Sequence, residues 1–169
     1  MPADLSKLTF LVVDDNAHML KIVRTLLNGF GIHKIHEAMS GQDALEILRC
    51  ESIDIAILDF QMEGMDGVEL IKYMRDENRM ENPFIPIVML SAYAEKTRVF
   101  AARDAGATEF CAKPITATDL FRKIGAVIDR ARPFVRTKVF FGPDRRRHDP
   151  DKYKGPERRS DDPAQPNTA

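Results

Sequence analysis

Three aspartates, one serine and one lysine are the residues of this sequence whose chemistry is most informative. Asp14 and Asp15 are adjacent, and Asp59, Ser91 and Lys113 each follow a separate apolar run. Clustered carboxylates repel one another, and each has a raised pKa unless a cation neutralises it. Mg²⁺ prefers oxygen ligands of this kind, and a carboxylate can itself attack phosphorus. A lysine and a hydroxyl supply charge and hydrogen bonds to phosphoryl oxygens. If the fold brings them together, these residues indicate metal-assisted phosphoryl chemistry.

The elements that must position these residues alternate between strands and helices. Short apolar runs predict five strands, and apolar residues at helical spacing follow each run, with cap residues such as Asn16, Ser40 and Thr116 opening three of the helices. This alternation is typical of a parallel sheet covered on both faces. The predicted strands span residues 8–13, 34–38, 53–58, 85–90 and 108–112.

The predicted fold class is α/β, a flavodoxin-like (βα)5 domain with five parallel strands in the order 2-1-3-4-5. Right-handed crossovers leave few topologies, and this order is the leading one for five repeats. Strands 1, 3, 4 and 5 are then neighbours, and their carboxyl ends meet at one edge of the sheet. The five candidate residues are therefore expected to converge at that edge.

Length and composition predict one soluble domain with an extension. The chain has 169 residues, of which 44% are apolar and 30% are charged. No apolar run reaches the length of a membrane span, and no secretory signal is visible at the start. Cys50 and Cys111 are far apart and without metal-ligand spacing. We therefore expect a cytoplasmic protein that does not enter a membrane.

The net charge of −1 conceals an asymmetry along the chain. Residues 1–131 carry 15 Lys and Arg against 20 Asp and Glu, whereas residues 132–169 carry 10 against 6. Six of the ten prolines also lie after residue 131. This change in composition predicts a domain over 6–131 and a C-terminal extension over 132–169.

The five candidate residues resemble the functional residues of the response-regulator receiver domains of two-component signalling. The family has an acid pair after strand 1, an aspartate after strand 3, a Ser or Thr after strand 4 and a Lys-Pro pair after strand 5, as Asp14-Asp15, Asp59, Ser91 and Lys113-Pro114 are here. The segment 59–67, DFQMEGMDG, is similar to the family's loop of the form D-x-x-M-P-x-M-D-G. The resemblance covers residues 6–131. Any one of these motifs is common, but their full set in this order is specific.

The resemblance implies a role for each residue. Asp59 is the phosphoacceptor, and Asp14, Asp15, Asp59 and the backbone carbonyl of Gln61 hold Mg²⁺, with Mn²⁺ as an alternative ion. Lys113 pairs with Asp59 or its phosphate, and Ser91 binds a phosphoryl oxygen. Phe110 is the switch aromatic, the Lys113-Pro114 bond is cis, and Gln61 and Tyr93 tune dephosphorylation. Two positions depart from the family pattern: Glu63 replaces its proline, and Phe110 lacks the hydroxyl of the tyrosine that many relatives carry.

The resemblance also implies a function and partners. We expect a phosphoacceptor in a phosphorelay, supplied by a sensor histidine kinase or a histidine phosphotransfer protein, that acts on a downstream protein effector through the surface of helix 4, strand 5 and helix 5. A homodimer on phosphorylation is one outcome of that change. Its catalysis is limited to its own phosphorylation and dephosphorylation, so we do not expect an enzyme.

Two other functions compete with this interpretation. A phosphohydrolase with an aspartyl-phosphate needs D-x-D after strand 1, and Asp14-Asp15-Asn16 does not match. A phosphate-independent scaffold would not need the complete set of site residues. For single residues the alternatives are structural: Asp15 and Ser91 as helix caps, and Phe110 as a core residue.

The extension contains a tandem repeat. The pattern G-P-[DE]-R-R-x-x-D-P occurs at 142–150 and again at 155–163. Residues 133–141 are apolar and predict a docking strand, within a favoured docking segment over 134–159, whereas a disordered tail is the expectation beyond Pro163. Phe140, Phe141, Arg145, Arg146, Arg158 and Arg159 are the candidate docking residues, on the main domain or on a partner. Thirty-eight residues are too few for a helix-turn-helix domain, so no DNA-binding domain is expected.

Overall fold

The computed structural model describes residues 4–92 and 96–145. Five parallel strands form one sheet in the order β2-β1-β3-β4-β5, which confirms the predicted fold. A short 3-10 helix, Leu5–Lys7, precedes the sheet. The strands of the sheet are β1 (Thr9–Val13), β2 (Lys34–Ala38), β3 (Ile55–Asp59), β4 (Ile87–Ser91) and β5 (Glu109–Ala112); the helices are α1 (Ala17–Gly29), α2 (Gly41–Cys50), α3 (Gly67–Met74), α4 (Lys96–Ala105) and α5 (Ala117–Asp129).

Local sequence accounts for where the helices begin. The side chains of Asn16, Ser40 and Thr116 accept hydrogen bonds from backbone N–H groups in the first turns of α1, α2 and α5, because those N–H groups have no partner inside the helix. β3 and β4 each begin two residues later than predicted. Ile53 and Ile85 are buried but lie outside the paired strands, so apolar character alone placed these boundaries too early.

The core has two halves, one on each face of the sheet. Alternating strand side chains point to opposite faces, so that Leu11 and Val13 belong to one half and Phe10 and Val12 to the other. Helices α1 and α5 cover the face that contains Phe10, and α2, α3 and α4 cover the face that contains Leu11. The three central strands, β1, β3 and β4, are therefore buried on both faces, as their almost wholly apolar sequences require.

Beyond the sheet, the chain forms a small hairpin. Strands β6 (Phe134–Arg136) and β7 (Phe141–Pro143) pair antiparallel, and the N–H of Thr137 donates to the carbonyl of Phe140 at 2.8 Å to close the turn. The segment 133–141, for which the sequence predicts a docking strand, thus contains one strand and the turn that reverses it. The hairpin packs on the main body of the protein.

Aromatic rings provide one side of this packing. The rings of Phe134 and Phe141 lie 5.1 and 5.4 Å from the ring of Phe84, which precedes β4, and both contacts are edge-to-face. The guanidinium carbon of Arg75 also lies over the Phe134 ring, 5.0 Å from the ring centroid. Aromatic pairs and cation–π contacts stabilise a fold by more than the burial of their apolar area alone provides.

Arg75 is a buried cation at the end of α3, with 5% of its surface exposed. Its Nε and Nη2 donate to the carbonyl of Gly106 at 3.1 and 2.9 Å, and its Nη1 donates to the carbonyl of Pro83. Burial lowers the pKa of Arg75 to about 9, so the side chain stays charged at neutral pH. The glycine is required, since its φ is +111° and a Cβ there would lie 3.0 Å from the Arg75 side chain.

Ion pairs fasten the hairpin at both ends. Arg132 lies 2.7 Å from the Glu109 carboxylate, which Lys123 also binds at 2.8 Å. Arg145 pairs with Asp104 of α4 at 2.9 Å. Arg136 pairs in addition with Glu77. Ion pairs therefore join the hairpin and its flanking residues to β5, through Glu109, and to the end of α4, through Asp104. The division of the chain into two parts at residue 131 stays a prediction.

Within the described residues, no helix has the length and apolar character needed to cross a membrane.

The close packing of Gly142 leads to a first prediction. A Cβ at Gly142 would lie 2.9 Å from the Phe140 ring and 3.1 Å from the backbone of Gly106. We expect Gly142→Ala to lower the free energy of unfolding by about 1–3 kcal/mol, because a close-packed contact must open. Urea denaturation measures this change. The control is Gly29→Ala at the end of α1, where a Cβ meets nothing within 4 Å and a gain of about 0.5 kcal/mol is expected. Equal stability of Gly142→Ala and the unaltered protein would contradict the packing described.

Candidate functional site

One ammonium group joins two strands at the carboxyl edge of the sheet. Nζ of Lys113 lies 2.8 Å from Oδ2 of Asp14 and 2.7 Å from Oδ1 of Asp59. Asp14 is 1% exposed and Asp59 is 6% exposed, so both carboxylates meet this cation almost out of water. Pairs of this kind are stronger than those at the surface, although burial of the charges opposes them.

The strands place each of these groups. Asp14 and Asp15 directly follow β1, Asp59 is the last residue of β3, and Lys113 directly follows β5. Ser91 ends β4, and its carbonyl accepts from the N–H of Lys113 at 2.7 Å. Parallel strands in this order bring their ends to one edge.

The turn after Asp59 brings α3 very close to the site. A Cβ at Gly67, the first residue of α3, would lie 2.2 Å from the backbone oxygen of Asp59, so that only glycine fits. Before it, the carboxylate of Asp66 accepts from the N–H of Glu69, whose own carboxylate accepts from the N–H of Asp66. This capping box fixes the start of α3. The Asp66-Gly67 pair therefore has a structural role: Asp66 caps α3, and Gly67 lets the helix begin against the backbone of Asp59.

Asp15 is held from the loop on the other side of the site. Its Oδ2 accepts from the backbone N–H of Glu63 at 3.1 Å. A proline at position 63 has no N–H and could not make this bond. The departure of Glu63 from the family pattern thus adds a hydrogen bond between the two loops that carry the acidic residues.

The three carboxylates leave the site short of positive charge. Burial raises the pKa of the Asp59 carboxyl, Lys113 opposes this, and the charges of Asp14 and Asp15 add to the rise. Burial lowers the pKa of Lys113, but its hydrogen bonds to Asp14 and Asp59 outweigh this and hold the pKa above its ordinary value. The lysine therefore stays charged, while the Asp59 carboxyl ionises less readily than an exposed aspartate, and a further cation would favour its charged form.

The donor set fits a hard divalent cation. One carboxylate oxygen from each of Asp14, Asp15 and Asp59 lies within 4.8 Å of the other two. Oxygen ligands of this type suit Mg²⁺, which commonly binds one or two carboxylates together with water and a phosphate oxygen.

Ser91 and Phe110 lie on neighbouring strands. Ser91 is buried with 1% exposed, and it borders a cleft together with Asp59, Gln61 and Lys113. Phe110 lies in β5, opposite Met89 of β4, and packs partly buried against the core between the sheet and α2, α3 and α4. The Lys113-Pro114 bond is cis.

The structure brings together six of the predicted site residues. Asp14, Asp15, Asp59, Gln61, Ser91 and Lys113 share the carboxyl edge of the sheet. Phe140, Phe141 and Arg145 lie on the hairpin, where the ring of Phe141 meets Phe84 and Arg145 binds Asp104. The remaining predicted positions lie outside the described residues: Tyr93, Arg146, Arg158, Arg159 and most of the repeat over 142–163. The roles assigned to all of these positions stay predictions.

Arg98 borders the same cleft and was not expected from the sequence. It belongs to the first turn of α4, a helix that also contains the basic residues Lys96 in its first turn and Arg103 in its last turn. No motif distinguishes it from them. Only the placement of the helix beside the loop after Asp59 reveals it.

Comparison with known proteins agrees with this geometry. The family model described as "Response regulator receiver domain" matches residues 10–125. The chain belongs to this family. Chemotaxis protein CheY-3 of Vibrio cholerae is 33% identical over 131 residues, which are 77% of this chain and 99% of that protein. A receiver of this type is a signalling protein, and its family binds Mg²⁺ at the acidic pocket that Asp14, Asp15 and Asp59 form here.

Solved structures share the receiver fold. A putative response regulator from Chloroflexus aurantiacus is 30% identical, with a TM-score of 0.66 and coverage of 72% of this chain and 98% of that one. The receiver domain of a sensor histidine kinase from Pseudomonas aeruginosa is 23% identical, with a TM-score of 0.65 and coverage of 72% and 98%; in that protein a magnesium ion is coordinated in the active site cleft.

The electrostatics of this receiver predict a stabilising substitution. The folded state raises the pKa of Asp59, so the folded protein binds a proton there more tightly than the unfolded chain. Stability therefore falls as the pH rises from the ordinary pKa of 3.8 through the raised one, and it stays lower above it. In EDTA at pH 7, we expect Asp59→Asn to raise the free energy of unfolding by on the order of 1 kcal/mol. Urea denaturation measures this change as a higher midpoint concentration.

Two comparisons test the cause of this effect. The advantage of Asp59→Asn should shrink as the pH falls toward and below the ordinary pKa of 3.8, because the Asp59 carboxyl of the unaltered receiver then becomes protonated. Asp15→Asn removes the same charge from an exposed position and should stabilise less. A loss of stability in Asp59→Asn at pH 7 would mean that its pairing with Lys113 outweighs burial.

Proposed function

We propose that this receiver is the phosphoacceptor of a two-component phosphorelay, and that phosphorylation of Asp59 switches the surface formed by α4, β5 and α5. The observation that carries the proposal is the convergence of Asp14, Asp15 and Asp59 around the ammonium of Lys113. A nucleophilic carboxylate beside a cation and a divalent-metal site is what phosphoryl transfer to aspartate requires.

The metal would be held by the carboxylates of Asp14, Asp15 and Asp59 and the backbone carbonyl of Gln61. When bound, Mg²⁺ supplies positive charge to the phosphoryl oxygens. Mn²⁺ prefers similar ligands and is the alternative ion.

The protein's own residues carry the remaining steps. A carboxylate oxygen of Asp59 attacks the phosphorus of the donor, forming the new P–O bond while the bond to the leaving group breaks. The leaving group retains the electron pair and takes a proton, as the imidazole of a phosphohistidine would. The ammonium of Lys113, already 2.7 Å from Asp59, neutralises charge on the transferred group, and the Ser91 hydroxyl donates to one of its oxygens.

The switch runs from Ser91 to Phe110. A shift of Ser91 toward the phosphoryl group opens space beside β4, and the ring of Phe110 on β5 turns inward to fill it. Because β5 lies between α4 and α5 in the chain, this change alters the surface that those elements share. It is a shift in the populations of two states.

The partners follow from this chemistry. A sensor histidine kinase or a histidine phosphotransfer protein supplies the phosphoryl group, and a protein effector reads the α4–β5–α5 surface. The chemotaxis relative and the receiver structures described above support a signalling receiver, and we propose that it acts through protein contacts in the cytoplasm. Homodimer formation on phosphorylation is a further outcome of the same change.

The decisive experiment is phosphorylation by acetyl phosphate with Mg²⁺, followed by intact mass. We expect a gain of one phosphoryl group that EDTA abolishes. Asp59→Ala should gain none, whereas Asp54→Asn should gain it normally, because Asp54 precedes β3 at the opposite edge of the sheet. Absence of the gain in the unaltered protein, with no Mg²⁺ binding, would favour a phosphate-independent scaffold instead.

A second experiment concerns the lifetime of the phosphate. Gln61 borders the cleft beside Asp59, and the family resemblance assigns it, with Tyr93, to the approach of the hydrolytic water. We expect Gln61→Ala to change the rate of dephosphorylation several-fold, while the midpoint of thermal unfolding stays within a few degrees, because its side chain is exposed. Loss of phosphate, followed by mass, measures the rate. Equal rates for Gln61→Ala, a Tyr93→Ala variant and the unaltered receiver would refute this role.

A further inference from the structure

Arg98 connects helix α4 to the loop that follows the phosphoacceptor. Its guanidinium carbon lies 5.2 Å from the centroid of the Phe60 ring, and its Nη1 donates a long hydrogen bond, 3.4 Å, to the side-chain oxygen of Gln61. Phe60 and Gln61 are the two residues directly after Asp59. The side chain of Arg98 is thus held from the first turn of α4 across the entrance of the site.

The same guanidinium borders the cleft in which the transferred phosphate would lie. The cleft is lined by Asp59, Phe60, Gln61, Ser91, Ala92, Arg98 and Lys113. Its two cationic side chains are Lys113 and Arg98. Lys113 donates to Asp14 and Asp59 at 2.8 and 2.7 Å, and Arg98 donates to the neutral amide oxygen of Gln61 at 3.4 Å.

A phosphoryl group on Asp59 would offer Arg98 a better acceptor. The group adds negative charge and three acceptor oxygens to a site that already has three carboxylates. Hydrogen bonds from a guanidinium to phosphate are shorter and roughly twice as strong as those between neutral groups. Stacking on Phe60 restrains the side chain in advance, so that little further ordering is needed. Phosphoryl oxygens are therefore stronger acceptors for the Arg98 guanidinium than the neutral amide oxygen of Gln61.

We propose that Arg98 is a phosphoryl-binding residue of this receiver, and that it transmits the arrival of the phosphate directly to α4. This inference rests on the proposed phosphorylation of Asp59. It adds a second connection between the phosphate and the α4–β5–α5 surface, separate from the one through Ser91 and Phe110. Because Arg98 belongs to the first turn of α4, a bond between its guanidinium and the phosphate would link that end of the helix to Asp59.

The test uses beryllofluoride, which mimics a phosphoryl group on aspartate, together with Mg²⁺. Calorimetric titration of the full chain should show Arg98→Gln binding beryllofluoride on the order of tenfold more weakly than the unaltered receiver. Arg98→Lys, which keeps the charge but loses the planar fork, should fall between them. The matched control is Arg103→Gln on the same helix, whose guanidinium likewise lies over a phenylalanine ring, that of Phe100, at 4.8 Å. It should bind within about twofold of the unaltered receiver.

A second readout separates phosphate binding from a merely structural role. Backbone amide resonances of the first turn of α4 should shift on beryllofluoride binding in the unaltered receiver and in Arg103→Gln. At saturating beryllofluoride they should shift much less in Arg98→Gln. Thermal unfolding without ligand should be the same for both variants, which shows that the loss is not one of folding.

The outcomes distinguish this inference from the proposal on which it rests. Equal affinities and equal α4 shifts in Arg98→Gln and Arg103→Gln would overturn the role of Arg98 and leave phosphorylation intact. If the unaltered receiver bound no beryllofluoride with Mg²⁺ and gained no phosphoryl group, the proposed function itself would fail, and this inference with it.

Discussion

The contact of Lys113 with two buried carboxylates is the interaction on which the rest of the structure depends. An unpaired buried carboxylate costs several kcal/mol, and here two of them lie within hydrogen-bonding distance of one ammonium. Lys113 and Asp14 are 99 positions apart in the chain. Their meeting requires that β1, β3, β4 and β5 be neighbours. The ion pairs of Lys113 therefore form only when the strands have this order. Because a Cβ at Gly67 would lie against the backbone oxygen of Asp59, α3 must also begin directly beside the end of β3.

The pairing at this site is incomplete, and its function depends on that. Three carboxylates face one ammonium, and burial with the neighbouring charges keeps the pKa of Asp59 raised despite the lysine. A site neutralised by protein residues alone would gain little from a metal or respond little to a phosphoryl group. The folded receiver keeps a deficit of positive charge that a divalent cation can relieve. The receiver is less stable than it would be with a fully neutralised site, and it can therefore respond to a cation or a phosphoryl group. Perturbed pKa values are common at functional sites of this kind.

Much of the fold follows from local sequence, and much of the site follows from the fold. The caps at Asn16, Ser40 and Thr116 mark helix starts because a side chain satisfies backbone groups within a few residues. Parallel pairing then brings Asp14, Asp59 and Lys113 to one edge by topology alone. The family pattern, with its ordered motifs, supplied the roles that geometry alone leaves open.

Other features depend on contacts that no local pattern encodes. Arg75 reads as an ordinary charged residue at the end of a helix, yet it is buried because the carbonyls of Gly106 and Pro83 converge on it. Arg98 was missed for the same reason, since the position of α4 relative to the loop after Asp59 is a tertiary property. The apolar segment 133–141 indicated docking, but the reversal at Thr137 depends on one backbone hydrogen bond, which composition does not predict.

The hairpin also determines where the rest of the chain is attached. Arg145, the last residue that the structure describes, is tied to Asp104 in the last turn of α4. The attachment point of the residues after 145 is therefore fixed beside the proposed signalling surface. A short tether generally corresponds to an effective concentration in the millimolar range. Even weak contacts made from this attachment point to a protein bound at α4 would add substantially to binding, and they would depend on the hairpin staying on the receiver.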